Sequence, residues 1–136
     1  MMRFFFYGTL CDPDILRMVL GYAPAPRQIR AARLEGYRRK TVRGQAYPVL
    51  HAAAGGMVDG LLFDAASAQD GKRLDQYEGP EYLTLDLPVR PLDGGAQAQA
   101  RVYLPRPGCL PAGRLDWRLE TWQRQHKAAF IKRFLQ

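Results

Sequence analysis

The stretch Arg3-Phe4-Phe5-Phe6-Tyr7-Gly8-Thr9-Leu10-Cys11-Asp12-Pro13-Asp14 decides how the rest of the chain is read. Arg3 to Tyr7 is a short, unbroken apolar run rich in aromatics, the pattern of a strand covered on both faces. A helix follows almost at once. Asp12 is placed to cap it, Pro13 suits its first position and Asp14 complements its positive end; Ile15, Leu16, Val19 and Leu20 share a face, and Gly21 stops it. A buried strand running straight into a helix start leaves the loop Tyr7-Gly8-Thr9-Leu10-Cys11 with backbone N–H groups that lack helical partners. An anion or an oxygen-rich group fits such a loop: Gly8 permits close backbone approach or a positive φ, and Thr9 adds a hydroxyl. A glycine at a strand-to-helix turn also serves geometry alone, so the loop by itself does not define a site.

Outward from this start, Gln28 to Leu34 and Met57 to Phe63 read as further strands, separated by a turn-rich stretch from Gly44 to Gly56. Ser67 and Asp70 form an S-x-x-D start signal; Leu74 and Tyr77 share a face, and Gly79-Pro80 ends the segment, which predicts a short helix. Leu83, Leu85, Leu87 and Val89 alternate with more polar positions. The alternation resumes from Ala96 to Tyr103 after the turn Asp93-Gly94-Gly95, predicting a hairpin. Leu115, Leu119, Trp122, His126 and Phe130 form one stripe of a C-terminal amphipathic helix spanning 115–136, expected to serve as a packed cover or a dimer surface rather than to bind substrate. Strands dominate the middle with helices beside them. The expectation is an α+β fold, a small mixed β-barrel with flanking helices, forming a single domain over 1–136.

Size and composition agree with that picture and exclude several classes. The 136 residues suit one domain, and 47% hydrophobic content supplies a core, which excludes a disordered chain. The apolar run after Arg3 is far too short for a membrane span or a signal-peptide core, so no membrane association and a cytoplasmic location are expected. Cys11 and Cys109 lack the spacing of a zinc site and are too few for a disulfide scaffold; they read as free thiols. The net charge of +7 is unevenly spread: residues 59–93 hold eight acids against Lys72, Arg73 and Arg90. The basic excess falls in a block from Arg27 to Arg43 and another from Arg106 to Arg133. Neither matches a nucleic-acid motif, and both read as solvated faces.

Glu78 breaks a local rule. It occupies the last turn of the predicted helix, where carbonyl oxygens point outward and a carboxylate is disfavoured. Placed near Tyr77 and Tyr82 it would be partly desolvated, and both effects raise a carboxyl pKa toward the range of a general base at neutral pH. An exposed Glu with ordinary chemistry is the plain alternative.

Together the two segments resemble the γ-glutamylcyclotransferase-like, or avirulence-induced-gene-like, family. The family's opening motif, an aromatic then G-[ST]-L, matches Phe6-Tyr7-Gly8-Thr9-Leu10, and its acidic motif matches Leu74-Asp75-Gln76-Tyr77-Glu78-Gly79. Weaker echoes are Tyr47-Pro48, the run from Val58 to Phe63 and Ala100-Arg101-Val102-Tyr103, so the similarity spans about residues 2–104. The resemblance implies a small mixed barrel with a cavity between the opening loop and the acid. It also implies an internal aminolysis, in which the α-amino group of a γ-glutamyl amino acid or amine attacks its own γ-carbonyl to give 5-oxoproline and a free amine. Glu78 would then be the general acid/base, Tyr7, Gly8, Thr9 and Leu10 would hold substrate oxygens, and Tyr82 and Tyr103 would line the cavity or simply pack the hairpin. No metal or organic cofactor is called for. The expected partner is a small γ-glutamyl substrate, not nucleic acid, and the chain would be a monomer or homodimer. One departure affects substrate choice: Tyr82-Leu83-Thr84 stands where relatives follow the Tyr with Arg residues.

Two rivals carry different tests. Cys11 near a helix start is a candidate nucleophile with His51 or His126 as its base, although the spacing gives no support. A non-catalytic module of the same fold would bind a γ-glutamyl-like ligand or, through the Arg27–Arg43 block, an acidic or nucleic-acid partner with steep salt dependence.

Overall fold

The first strand sits where its all-apolar sequence requires. In a computed structural model describing residues 2–108 and 110–135, β1 (Arg3–Phe6) lies between two other strands with Phe4, Phe5 and Phe6 each at most 2% exposed. Alternation along the strand divides its side chains between two cores. Phe5 and Tyr7 join Leu34, Val58, Leu62 and Val102 inside the sheet. Phe4 and Phe6 face the helices, against Ile15, Leu16, Leu20, Leu74 and Trp122.

The sheet closes on itself. Its strands are β1, β2 (Ile29–Val42), β3 (Pro48–Asp64), β4 (Tyr82–Pro91) and β5 (Ala98–Pro105), with β6 (Ala112–Asp116) added to the outer half of β2. The order β3-β1-β5-β4-β2 is completed by β2 pairing back onto β3. The result is a five-stranded mixed barrel in which β1 runs parallel to β5 and antiparallel to β3. Closure leaves no free edge on β1. The hairpin expected at Leu83–Tyr103 is β4–β5, paired from Tyr82↔Pro105 to Val89↔Ala98.

Helix α1 (Pro13–Leu20) starts and stops on the residues anticipated. The Asp12 carboxylate accepts from the N–H groups of Asp14 and Ile15, and Gly21 closes the helix at φ +84°. Helix α2 (Ala68–Glu78) begins after Ser67, but the Ser67 hydroxyl makes no capping bond. Asp70 in its first turn holds the entering chain instead, accepting from the Ala66 N–H at 2.8 Å and from the Tyr22 hydroxyl at 2.7 Å.

Three expectations need correction. The segment 44–56 is turn only at its start: Pro48 to Gly56 continues β3, with His51 paired to Arg38 and Leu50 to Arg39. Alanine and glycine at 52–56 have poor strand propensity; Ala52 pairs with Tyr37 of β2, and 53–56 fall at a break in register. This break, between Glu35 and Tyr37 and with Gly36 and Gly55 at positive φ, marks a bulge in the long hairpin. The C-terminal helix over 115–136 is also wrong. Leu115 lies on β6 and is 72% exposed, and the helical part is two pieces, α3 (Leu119–Gln125) and α4 (Lys127–Phe134), broken at His126 (φ −128°). The stripe is real only from Leu119, because β6 is held as a strand by pairing with β2 at Lys40↔Asp116 and Val42↔Ala112. The first basic block, finally, is solvated, its exposed ion pairs included, except at Arg39. Arg30, Arg33 and Lys40 pair with Asp93, Asp59 and Asp116, and Arg39 turns inward. Cys109, expected as a free thiol, lies outside the described residues.

Candidate active site

A cavity of about 830 Å³ opens where β1 ends, within the size range of small-molecule sites. The loop after β1, the end of α2, the β2–β3 turn and the α3–α4 pair each supply part of its wall. All seven residues singled out from the sequence line it: Tyr7, Gly8, Thr9, Leu10, Glu78, Tyr82 and Tyr103.

The opening loop presents free donors. Gly8 leads into a single 3-10 turn, Thr9–Cys11, in which Cys11 N–H donates to Gly8 O and Asp12 N–H to Thr9 O. Among the described residues, the N–H groups of Gly8, Thr9 and Leu10 find no backbone acceptor. Gly8 is needed for space rather than for φ, which is −114°: a Cβ there would lie 2.9 Å from Pro48 Cγ.

Arg39 fixes the loop from behind. One of its terminal nitrogens donates to Tyr7 O at 2.9 Å and its Nε to Trp117 O at 3.1 Å, with the guanidinium over the Trp117 ring. In a trans peptide the carbonyl of Tyr7 and the N–H of Gly8 point opposite ways. Holding the carbonyl therefore turns the Gly8 N–H away from Arg39. Sequence reading missed this role because the chemistry of an arginine within a basic run does not reveal which member turns inward.

Glu78 ends α2 and is half-buried at the cavity wall. Burial first, and then the charge of Asp75, push its carboxyl up to about 8. The phenols around it stay protonated. Burial and the Glu78 charge hold the Tyr7, Tyr77 and Tyr82 hydroxyls above their ordinary value, and burial with the Asp75 carboxylate does the same for Tyr103. These rings are pinned by bonds at their far ends: Tyr7 to Tyr103 O, Tyr103 to Asp75 Oδ1, Tyr82 to Pro48 O and Tyr77 to the Thr9 hydroxyl. The last bond, 2.6 Å long, ties the acid's own helix to the donor loop.

Four contributors were not anticipated as lining. The turn Gly44–Pro48 forms one wall, held by Trp117 Nε1 donating to Ala46 O. Tyr77 stands beside the acid, Glu81 sits exposed in the lining, and the α3–α4 pair brings in Trp122 and Phe130. Phe130 packs edge-on to Tyr77 and Trp122 at centroid distances of 6.2 and 5.6 Å. The amphipathic stripe was visible in sequence; that its face closes a cavity was not.

The thiol reading does not survive this geometry. Cys11 is outside the cavity lining, its Sγ donates to Phe6 O at 3.2 Å, and burial pushes the thiol up to about 12 despite the opposing charge of Arg39. His51 lies exposed on β3, and His126, though at the cavity, is exposed between α3 and α4. We expect Cys11→Ala to keep full turnover and Cys11 to resist alkylation at pH 8 in the folded protein, as read by site-resolved mass spectrometry.

One acid of raised pKa, a set of neutral phenols and three amide donors without backbone acceptors share one hollow, the make-up of a small-molecule site in a closed barrel. The chain belongs to the family described as gamma-glutamyl cyclotransferase, AIG2-like, whose profile matches residues 4–124. It is 28% identical to AIG2-like protein A of Arabidopsis thaliana over 130 residues, covering 96% of this chain and 77% of that one. A solution structure of an Arabidopsis thaliana protein superposes with a TM-score of 0.72 at 28% identity, over 98% of this chain and 87% of the other. A structure titled gamma-glutamyl cyclotransferase shares the fold at a TM-score of 0.62 and 14% identity, covering 82% and 69% of the two chains. Among the described residues no helix is long and apolar enough to cross a membrane.

Proposed function

We propose that this protein is a cyclotransferase that closes a γ-glutamyl amide to 5-oxoproline and releases an amine, with Glu78 as general acid/base. The single observation behind the reading is Glu78, with its raised pKa, sharing one cavity with the unpaired amides of Gly8, Thr9 and Leu10.

The proton balance explains why one acid suffices. During cyclisation the α-nitrogen goes from ammonium to ring N–H and loses two protons; the leaving nitrogen goes from amide to ammonium and gains two. A carboxyl with a pKa of about 8 is populated in both forms near neutral pH, so it can accept from an ammonium and donate to a departing amine. The α-nitrogen attacks the γ-carbonyl carbon, a C–N bond forms, and the original amide C–N bond breaks as its nitrogen is protonated. The loop amides bind substrate oxygens and fix the folded conformation in which nitrogen and carbonyl meet at about 3–3.5 Å.

The test is release of 5-oxoproline from a panel of γ-glutamyl amino acids and γ-glutamyl amines, compared with Glu78→Gln. Equal rates for the two proteins would end the assignment. Arg39 offers a second check, because its loss frees the Tyr7 carbonyl without touching substrate. Arg39→Met should lower kcat/KM by about tenfold through loss of loop order, with partial rescue by added guanidinium; an unchanged kcat/KM would show that the loop needs no such brace.

A further inference from the structure

Resting on that reading, we propose that the face of α4 turned to the cavity is the leaving-group subsite, and that it takes an amino acid with a large apolar side chain, its carboxylate meeting Arg133 and its side chain meeting Phe130. Ala129, Phe130 and Arg133 line the cavity at steps of one and three, which places them on a single face of α4, and His126, the residue just before the helix, lines it as well. Here Phe130 is flanked by an imidazole one turn before and a guanidinium one turn after.

The position of Phe130 sets the distance from the chemistry. Its ring contacts Tyr77, the residue before Glu78, and Tyr77 in turn bonds Thr9 of the donor loop. The apolar wall therefore begins directly beside the acid and the amides. Ala129, small and exposed, leaves room next to the ring. Arg133 has no carboxylate partner among the described residues, whereas Lys127 at the start of the same helix is held by Asp12 and Asp14.

A leaving amino acid carries its carboxylate and its side chain on one carbon. One helical face offering a cation a single turn from an aromatic ring can read both at once. The opposing charge in the lining, Glu81, stands near Tyr47 and Tyr82 rather than on α4. Glu81 would favour a leaving group bearing a second ammonium, so a diamine is the competing prediction.

Binding is measured by calorimetry on Glu78→Gln, so that turnover does not enter. We expect γ-glutamylphenylalanine to bind about tenfold tighter than γ-glutamylphenethylamide, which lacks only the carboxylate, and about tenfold tighter than γ-glutamylglycine, which lacks the ring. Adding Arg133→Gln should collapse the first ratio to near one, and adding Lys132→Gln, on the same turn but outside the lining, should preserve it. Equal affinities for the first pair, a ratio indifferent to Arg133, or tighter binding of a γ-glutamyl diamine would each overturn the subsite. If the ratios hold while the wild type releases no 5-oxoproline, the subsite stands and the catalytic reading falls. No binding by any ligand of the set overturns both.

Discussion

Glu78→Gln should lower 5-oxoproline release by about 10²- to 10⁴-fold, the range of general acid–base catalysis. The amide is isosteric and keeps the cavity wall, so KM should move far less than kcat. In the wild type, kcat/KM should rise with pH along an acid limb near 8, because only the ionised carboxylate accepts the first proton. A plateau already reached at pH 6 would place the proton acceptor elsewhere.

The same substitution should stabilise the protein at alkaline pH. The folded-state pKa of about 8 lies above the ordinary value of 4.5, so the unfolded chain releases this proton first. Stability from the neutral acid is therefore complete below about pH 4.5 and lost as pH rises through 8. Urea unfolding should show Glu78→Gln more stable than the wild type by about 1–3 kcal/mol at pH 9, allowing for water at the cavity wall, and nearly equal at pH 4.5. A stabilisation that did not change with pH would mean that Glu78 titrates as an ordinary surface carboxyl.

Asp12→Ala should be the most destabilising single change near the site, costing about 3–4 kcal/mol. Asp12 is 0% exposed, and its two oxygens serve different elements. Oδ1 caps α1, accepting from the N–H groups of Asp14 and Ile15, while Oδ2 accepts from Gln123 Nε2 and Lys127 Nζ, each at 2.9 Å, and ties α3 and α4 down beside the cavity. Burial opposes ionisation here, but the bonds from Gln123, Lys127 and Ile15 outweigh it and leave the carboxyl below its ordinary value. Its contribution is thus present above about pH 4 and lost as pH falls, opposite in sign to Glu78. Asp12→Asn keeps a good cap and should recover about 1 kcal/mol of the loss in urea unfolding. KM should rise with both variants as the α3–α4 wall loosens. Equal stability of Asp12→Ala and wild type would show that the wall is held by apolar packing alone.

The elements legible in the sequence are those whose signals are local. Phe4-Phe5-Phe6 can be satisfied only between two covered faces, and Asp12-Pro13 with Gly21 bounds α1 through backbone geometry that no distant contact alters. Glu78 was conspicuous because a carboxylate at a helix C-terminus opposes the dipole wherever that helix lies. The extension of β3 back to Pro48 was invisible, since residues 48–52 are held there by pairing with Tyr37 to Thr41, with Ala53 to Gly56 falling at the register break. The start of the C-terminal helix was misplaced for the same reason, with Leu115 fitting the helical period but captured by β2.

Sequence alone, then, determined the chemistry on offer: a buried first strand, a loop with spare donors and one misplaced acid, each dictated by residues within a few positions of one another. Tertiary structure alone decided that these parts meet. Closure of β2 onto β3 sets where the barrel mouth lies, Arg39 selects which way the Tyr7 peptide turns, and Asp12 draws α3 and α4 across the remaining side. Such contacts join residues dozens of positions apart, and their geometry is fixed by packing and hydrogen-bond direction that no local pattern encodes.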